Sequence, residues 1–410
     1  MSQPPVSLPR RVRRRGLIVI LINVYLMWSG FFMVVPLLSV YTVNDLGWPA
    51  ASIGIILGVR QLVQQTLTVG GGALADRFGA KWLIAIGLAI RVIGFGGMAW
   101  ATDFGALLLM AILSAVGGAL FDAPSGAAVA ALTTPEERPR YYSLRGVING
   151  LGLTTGPLIG ALLVGVDFAW VALMSAACYM VALIITLLFF PSVQVGAEDQ
   201  SLLHGFQLAL RDRAFMVLTA LSMGYWFMWV QLTIAMPLQA EALSGSSASI
   251  AAMYLVNAIT SIALQVPLRA LDTRLRSMPA LCLGLVVMAA GVGSIAFAPS
   301  FPAMLASIAV FSAGNLVALA NLNTVIAGMA HPEARGSYFG VSAMGLAIGG
   351  SLGNMLGSAM YGASVAAGRP AVPWLVIMVV GLASAAGVAL LDRYVLRRTA
   401  RGLLVTAGPG

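Results

Sequence analysis

Twelve apolar runs of about 19 to 30 residues alternate with short polar breaks along this 410-residue chain. They cover 16–43, 50–75, 82–100, 104–131, 141–166 and 168–190, then 214–240, 247–269, 278–298, 302–330, 336–365 and 372–396. About 20 apolar residues span a hydrocarbon core roughly 30 Å thick, so each run is long enough to cross a bilayer. Lipid offers no partners to backbone N–H and C=O groups, which leaves helices or a closed barrel. Continuous runs such as Phe168 to Phe190 lack the in–out alternation of barrel strands, and helices are predicted. The longest interior polar stretch, Ser192 to Arg213, carries Glu198, Asp199, His204, Arg211 and Asp212 and separates six runs from six. The expectation is an all-α membrane protein with twelve transmembrane helices in two six-helix bundles, 1–191 and 214–410, joined by a cytoplasmic linker at 192–213.

The two halves repeat at a constant separation of 197 residues. Between 135–160 and 332–357 the identical pairs are Pro135/Pro332, Glu136/Glu333, Arg138/Arg335, Tyr141/Tyr338, Gly152/Gly349, Gly156/Gly353 and Gly160/Gly357. The same offset pairs Ser52/Ser249, Gly87/Gly284 and Gly117/Gly314. Six spans separate the copies, so they run in the same sense across the membrane, the arrangement of transporters whose site lies between two bundles.

Composition agrees: 60% of residues are hydrophobic, 9% are charged, and mean hydropathy is +0.93. The net charge of +9 could suggest nucleic acid, but the placement of the basic residues excludes that partner. Twenty of the 23 lie in the tails and loops on one side, including Arg10, Arg11, Arg13, Arg14 and Arg15 before the first run. By the positive-inside rule that side is cytoplasmic and holds both termini. The first run continues to about Val43 without a small-residue cleavage pattern, so it reads as a retained span. Cys178 and Cys282 sit in apolar runs, and the two histidines, His204 and His331, sit in loops. With no phosphate-binding loop, metal-ligand cluster or nucleophile elbow, neither an enzyme nor a cofactor or metal is expected.

Two motifs carry a family resemblance. The loop after the second span reads Gly72-Ala-Leu-Ala-Asp76-Arg77-Phe-Gly79-Ala-Lys81, which resembles the signature of the major facilitator superfamily. There the glycines allow a tight turn, and the resemblance implies that Asp76 faces a helix N-terminus while Arg77 and Lys81 help latch the inner gate. The fifth span reads Gly152-Leu-Thr-Thr-Gly156-Pro157-Leu-Ile-Gly160, similar to the motif of the drug:proton antiporter branch. Its small residues four apart make one smooth face, and Pro157 releases a backbone bond. Segments from Gly30 to Pro36, Gly58 to Gln65, Phe121 to Pro124 and Arg335 to Tyr338 resemble a bacterial multidrug subgroup of that branch. The resemblance implies a monomer in the bacterial inner membrane that exports small amphiphilic molecules against protons. In the fourth span, the position where many relatives carry an arginine corresponds to Ala111.

Ionisable groups inside the spans point to function because each costs several kcal/mol in lipid unless paired or wet. They are Arg60, Arg91 and Asp122. Asp122 with Arg60 is the candidate for proton coupling, the alternative being a permanent ion pair; Arg91 reads as a structural buried charge. The aromatics Tyr25, Trp28, Phe32, Trp226 and Trp229, with Gln64, Asn149, Asn257 and Asn315, are candidates to line a substrate cavity. Two arginines against one acid leave open a transporter of one anionic metabolite or siderophore-like solute, and a non-transporting sensor is the more distant alternative.

Overall fold

The computed structural model describes residues 9–134, 136–164, 167–192, 202–272, 275–331 and 334–406; the side chains of 69–78, 139, 164, 202–204, 266, 268–272, 335 and 396–406 lie outside that description. Among the described residues every regular element is a helix. Eleven helices are long and apolar enough to cross a membrane, which makes this a multi-pass membrane protein. α2 (Ala50–Phe78) is not one of the eleven. At 29 residues it is long enough to be the twelfth, but Arg60, Gln61, Gln64 and Gln65 interrupt its apolar run.

Two compact units emerge. The first comprises Met1–Asp199 with Thr233–Leu255, and the second Gln200–Leu232 with Val256–Gly410. In the first, α1 (Arg10–Val40) runs into a π-turn at Tyr41–Asp45 and is followed by α2, α3 (Ala80–Gly97), α4 (Phe104–Leu132), α5 (Arg138–Val164) and α6 (Phe168–Phe189). Asp103 and Asp167 cap α4 and α6, accepting backbone N–H bonds from Ala106 (2.9 Å) and Ala169 (3.0 Å). Arg13 fastens the start of α1 to the end of α4 through Leu132 O (2.9 Å) and Glu137 (2.6 Å).

The polar stretch after α6 is not extended throughout. Residues Leu202–Arg211 form α7, where Gly205 and Phe206 contact Ser337 and Gly340. Asp212 then ends that helix and caps α8 (Arg213–Trp229), accepting from Phe215 N at 3.1 Å and the Tyr338 hydroxyl at 3.3 Å. A 3-10 turn at Val230–Thr233 leads into α9 (Ala235–Ser244), and α10 (Ala248–Asp272), α11 (Ser277–Ser294) and α12 (Phe301–Met329) follow. The span equivalent to α5 is broken into α13 (Arg335–Met344), a π-segment at Gly345–Gly350 and α14 (Ser351–Ala366), before α15 (Val372–Thr406). Glu241 on α9 belongs to the first unit, where it accepts from Asn44 (2.5 Å) and from the Ser247 hydroxyl (2.8 Å). Asn44 and Glu241 are 197 residues apart, one full repeat.

The repeat register reappears in the packing of each unit. Gly87 on α3 meets Gly117 and Leu120 on α4, and Gly284 on α11 meets Ala318 on α12, with Gly314 against Met288. Gly152, Gly156 and Gly160 on α5 press on the α1 backbone between Tyr25 and Met33, and Gly349, Gly353 and Gly357 press on α8 and its extension between Met223 and Gln231. Equivalent glycines thus serve equivalent crossings, because only a residue without Cβ lets two helix backbones approach so closely.

Candidate functional site

α2 and α4 pack together, and each supplies one polar stripe. On α2, Arg60 and Gln64 are one turn apart and share a face; on α4, Ser114, Gly118 and Asp122 do the same. Gln64 sits between the charges. Its Nε2 donates to Asp122 Oδ2 at 2.9 Å, and its Oε1 accepts from Arg60 Nη2 at 2.7 Å. Arg60 Nε donates to Ser114 Oγ (3.2 Å), which donates in turn to the Ala111 carbonyl (2.7 Å). The Phe31 ring lies 4.4 Å from the guanidinium carbon, and only 4% of Arg60 is exposed. A guanidinium therefore does reach the part of α4 that carries Ala111, but from α2.

The direct Arg60–Asp122 ion pair weighed from the sequence is not formed. Among the described residues the two ion pairs are Arg13–Glu137 and Arg276–Asp392, both away from this cluster. Arg60 lies level with Ser114, and Asp122 lies eight residues, or about 12 Å, further along α4. Gln64 bridges that gap. The second cation, Arg91 on α3, is 3% exposed. It donates to the Tyr179 hydroxyl of α6 at 3.3 Å and lies over the rings of Tyr179 (5.4 Å) and Phe95 (5.7 Å). Tyr179 passes the contact on by donating to Met27 O at 3.3 Å. Arg91 Nε has no partner among the described residues.

Gly118 is where these groups converge: a Cβ there would fall against Arg91 Nη2 and 2.8 Å from Gln64 Cδ. Both obstacles are ends of flexible side chains. Gly118→Ala is therefore expected to keep the fold, aided by the better helix propensity of alanine. It should also displace the Gln64 amide and lower transport about fivefold, the worth of one hydrogen bond of about 1 kcal/mol. Thermal unfolding and flux measured on the same preparation check both halves.

The remaining candidates divide between the units. In the first, Trp28 stacks on Phe32 (5.6 Å), Tyr25 accepts from the Thr155 hydroxyl (3.1 Å), and Asn149 Oδ1 is buried without a partner among the described residues. In the second, the Tyr225 hydroxyl donates to Asn315 Oδ1 at 2.7 Å, Trp226 stands edge-on to Tyr225 and Trp229, and Asn257 is buried at the position equivalent to Arg60. In the loop motif, Gly79 (φ 78°) makes the one-residue turn from α2 to α3, and Lys81 Nζ donates to Leu187 O at 3.0 Å. Gly72, Asp76 and Arg77 belong to α2 by backbone, but their side chains are outside the described part. Pro157 is buried inside α5. Ser114, Gly118 and Tyr179 were not singled out from the sequence.

The Major Facilitator Superfamily profile matches residues 20–353 and 221–404. The chain is 36% identical over 373 residues to the multidrug resistance protein MdtH of Aeromonas hydrophila, covering 91% of this chain and 94% of that protein. It is 35% identical over 395 residues to the MdtH of Klebsiella pneumoniae, covering 96% and 98%. Among solved structures it resembles a bacterial homologue of the human lysosomal transporter Spinster (TM-score 0.79, 15% identity, 95% of this chain and 99% of that one). It also resembles the nucleoside transporter NupG (TM-score 0.77, 16% identity, 92% and 99%). At those identities the likeness concerns the fold.

Proposed function

Because this chain belongs to the major facilitator superfamily and is a membrane transporter, we propose that it exports small amphiphilic compounds in exchange for protons, by alternating access. The observation that carries this reading is the Arg60–Gln64–Asp122 relay. A deep carboxylate is useful for coupling only if its charge is felt by another group. Here the Gln64 amide is held in one orientation by both neighbours, its oxygen toward the cation and its nitrogen toward the carboxylate. Protonating Asp122 turns an acceptor-only group into one that can also donate, and the amide is then free to turn and release Arg60. Proton and substrate thereby compete through that one charge, so uptake of the one favours departure of the other.

The multidrug resistance proteins among the relatives support the choice of amphiphilic cargo, as do the aromatic groups in each unit. In this reading Tyr25, Trp28, Phe32, Asn149, Trp226, Trp229, Asn257 and Asn315 line the substrate path, while Asp76, Arg77 and Lys81 latch its inner gate. The protein works as a monomer in the bacterial inner membrane with both termini in the cytoplasm, and Arg91 ties α3 to α6. A second reading, transport of one anionic metabolite, is favoured by two buried guanidiniums against one carboxylate.

Flux into proteoliposomes under an imposed pH gradient tests the proposal with a panel of cationic, neutral and anionic compounds. Uphill movement of several unrelated amphiphiles, collapsing with the gradient, is expected. Movement of a single anion alone would transfer the case to the second reading, and binding without flux would overturn both.

A further inference from the structure

Near its N-terminal end α1 presents one continuous stripe in which Arg11, Arg14 and Arg15 are followed by Ile18 and Ile22 at helical spacing. Ile185 and Phe189, one turn apart on α6, form the facing wall, and together they enclose a groove of about 440 Å³. Its apolar part is open, with Ile18 47% and Phe189 48% exposed. None of the three arginines has a carboxylate within 4 Å among the described residues, whereas their neighbour Arg13 is taken up by Glu137 and Leu132 O. The groove is thus cationic at one end and hydrocarbon-like at the other. From Arg15 to Ile22 the helix rises about 10 Å, the distance from a headgroup phosphate into the upper acyl region.

We propose that this groove is a binding site for an anionic phospholipid, with its phosphate at Arg11, Arg14 and Arg15 and an acyl chain along Ile18, Ile22, Ile185 and Phe189. A free phosphate would not use the apolar wall, and a zwitterionic headgroup would bring no net charge to offset three unpaired cations. The site needs only that α1 and α6 are membrane helices, so it stands independently of the transport mechanism.

Native mass spectrometry tests it on the full-length protein released from micelles doped with equal phosphatidylglycerol and phosphatidylcholine. Wild type should retain phosphatidylglycerol at least about tenfold over phosphatidylcholine. The triple change Arg11→Gln, Arg14→Gln and Arg15→Gln should abolish that preference. Since it also removes charges that orient the first span, Ile22→Trp serves beside it: it keeps every arginine, fills the groove, and should lose the retained lipid as well. Arg10→Gln, outside the groove, should change nothing. Equal retention of both lipids by wild type, undiminished selectivity in Ile22→Trp, or a loss in Arg10→Gln matching the triple variant overturns the site in favour of diffuse surface charge or none.

Discussion

Asp122→Asn is expected to abolish accumulation driven by a pH gradient, by two orders of magnitude or more, while the protein stays folded and still binds its cargo. The geometry explains why the two effects separate. Asp122 makes no direct ion pair; it accepts one hydrogen bond from Gln64 Nε2, and an asparagine oxygen can accept the same bond. The several-kcal/mol penalty for stranding one partner of a buried ion pair is therefore not incurred. What is lost is the ability to change charge, so substrate binding should no longer depend on proton concentration. Asp122→Leu is the informative companion. It leaves the Gln64 N–H without an acceptor, at a cost of about 1–3 kcal/mol, and should lower thermal stability as well as coupling. Flux, equilibrium binding at several pH values and unfolding temperature separate the two variants. An Asp122→Asn protein that still transports uphill would place the proton on another group.

A large effect on stability is expected at Gly156. A Cβ there would press on Ser29 O and lie 3.0 Å from Met33 N, both backbone atoms of α1 that cannot swing aside. Gly156→Val should force α1 and α5 apart and cost about 1–3 kcal/mol, the range for an overpacked core, despite a helix-propensity gain of a few tenths. Gly150, in the same helix, has nothing within 4 Å of its Cβ position, so Gly150→Val should be neutral. Unfolding temperatures of the pair check this; equal effects would mean that propensity rather than close approach governs the motif.

These expectations also mark how far the residues alone could be read. Gly156 was legible as part of a packing face, because small residues four apart inside lipid have few other uses, whereas Gly87/Gly284 showed only the repeat register and the structure supplies their crossing. Arg60, Gln64 and Asp122 stood out because polar groups there are costly. Their connection did not, since depth counted from the ends of apolar runs is uncertain by a turn or two. One turn along α2 decides whether Arg60 meets Asp122 directly or through Gln64. Ser114 and Tyr179 carry no signal of their own. A serine bonded to its own helix carbonyl reads like any other, and Tyr179 lies within an apolar run that is equally explained by packing. The helix at Leu202–Arg211 was hidden for a related reason: between two long runs, ten mixed residues read as a break.

The glycine crossings bear on how the chain is made. α3 with α4, and α11 with α12, are neighbours in sequence, joined by only a few residues. Their close approach is a local event of low contact order, the kind that forms early and fast. Synthesis at about 5–20 residues per second leaves at least several seconds between the appearance of α4 and that of α12. The first crossing can therefore lock while the second half is still on the ribosome, so the repeat supplies two separate nuclei for assembly in the membrane.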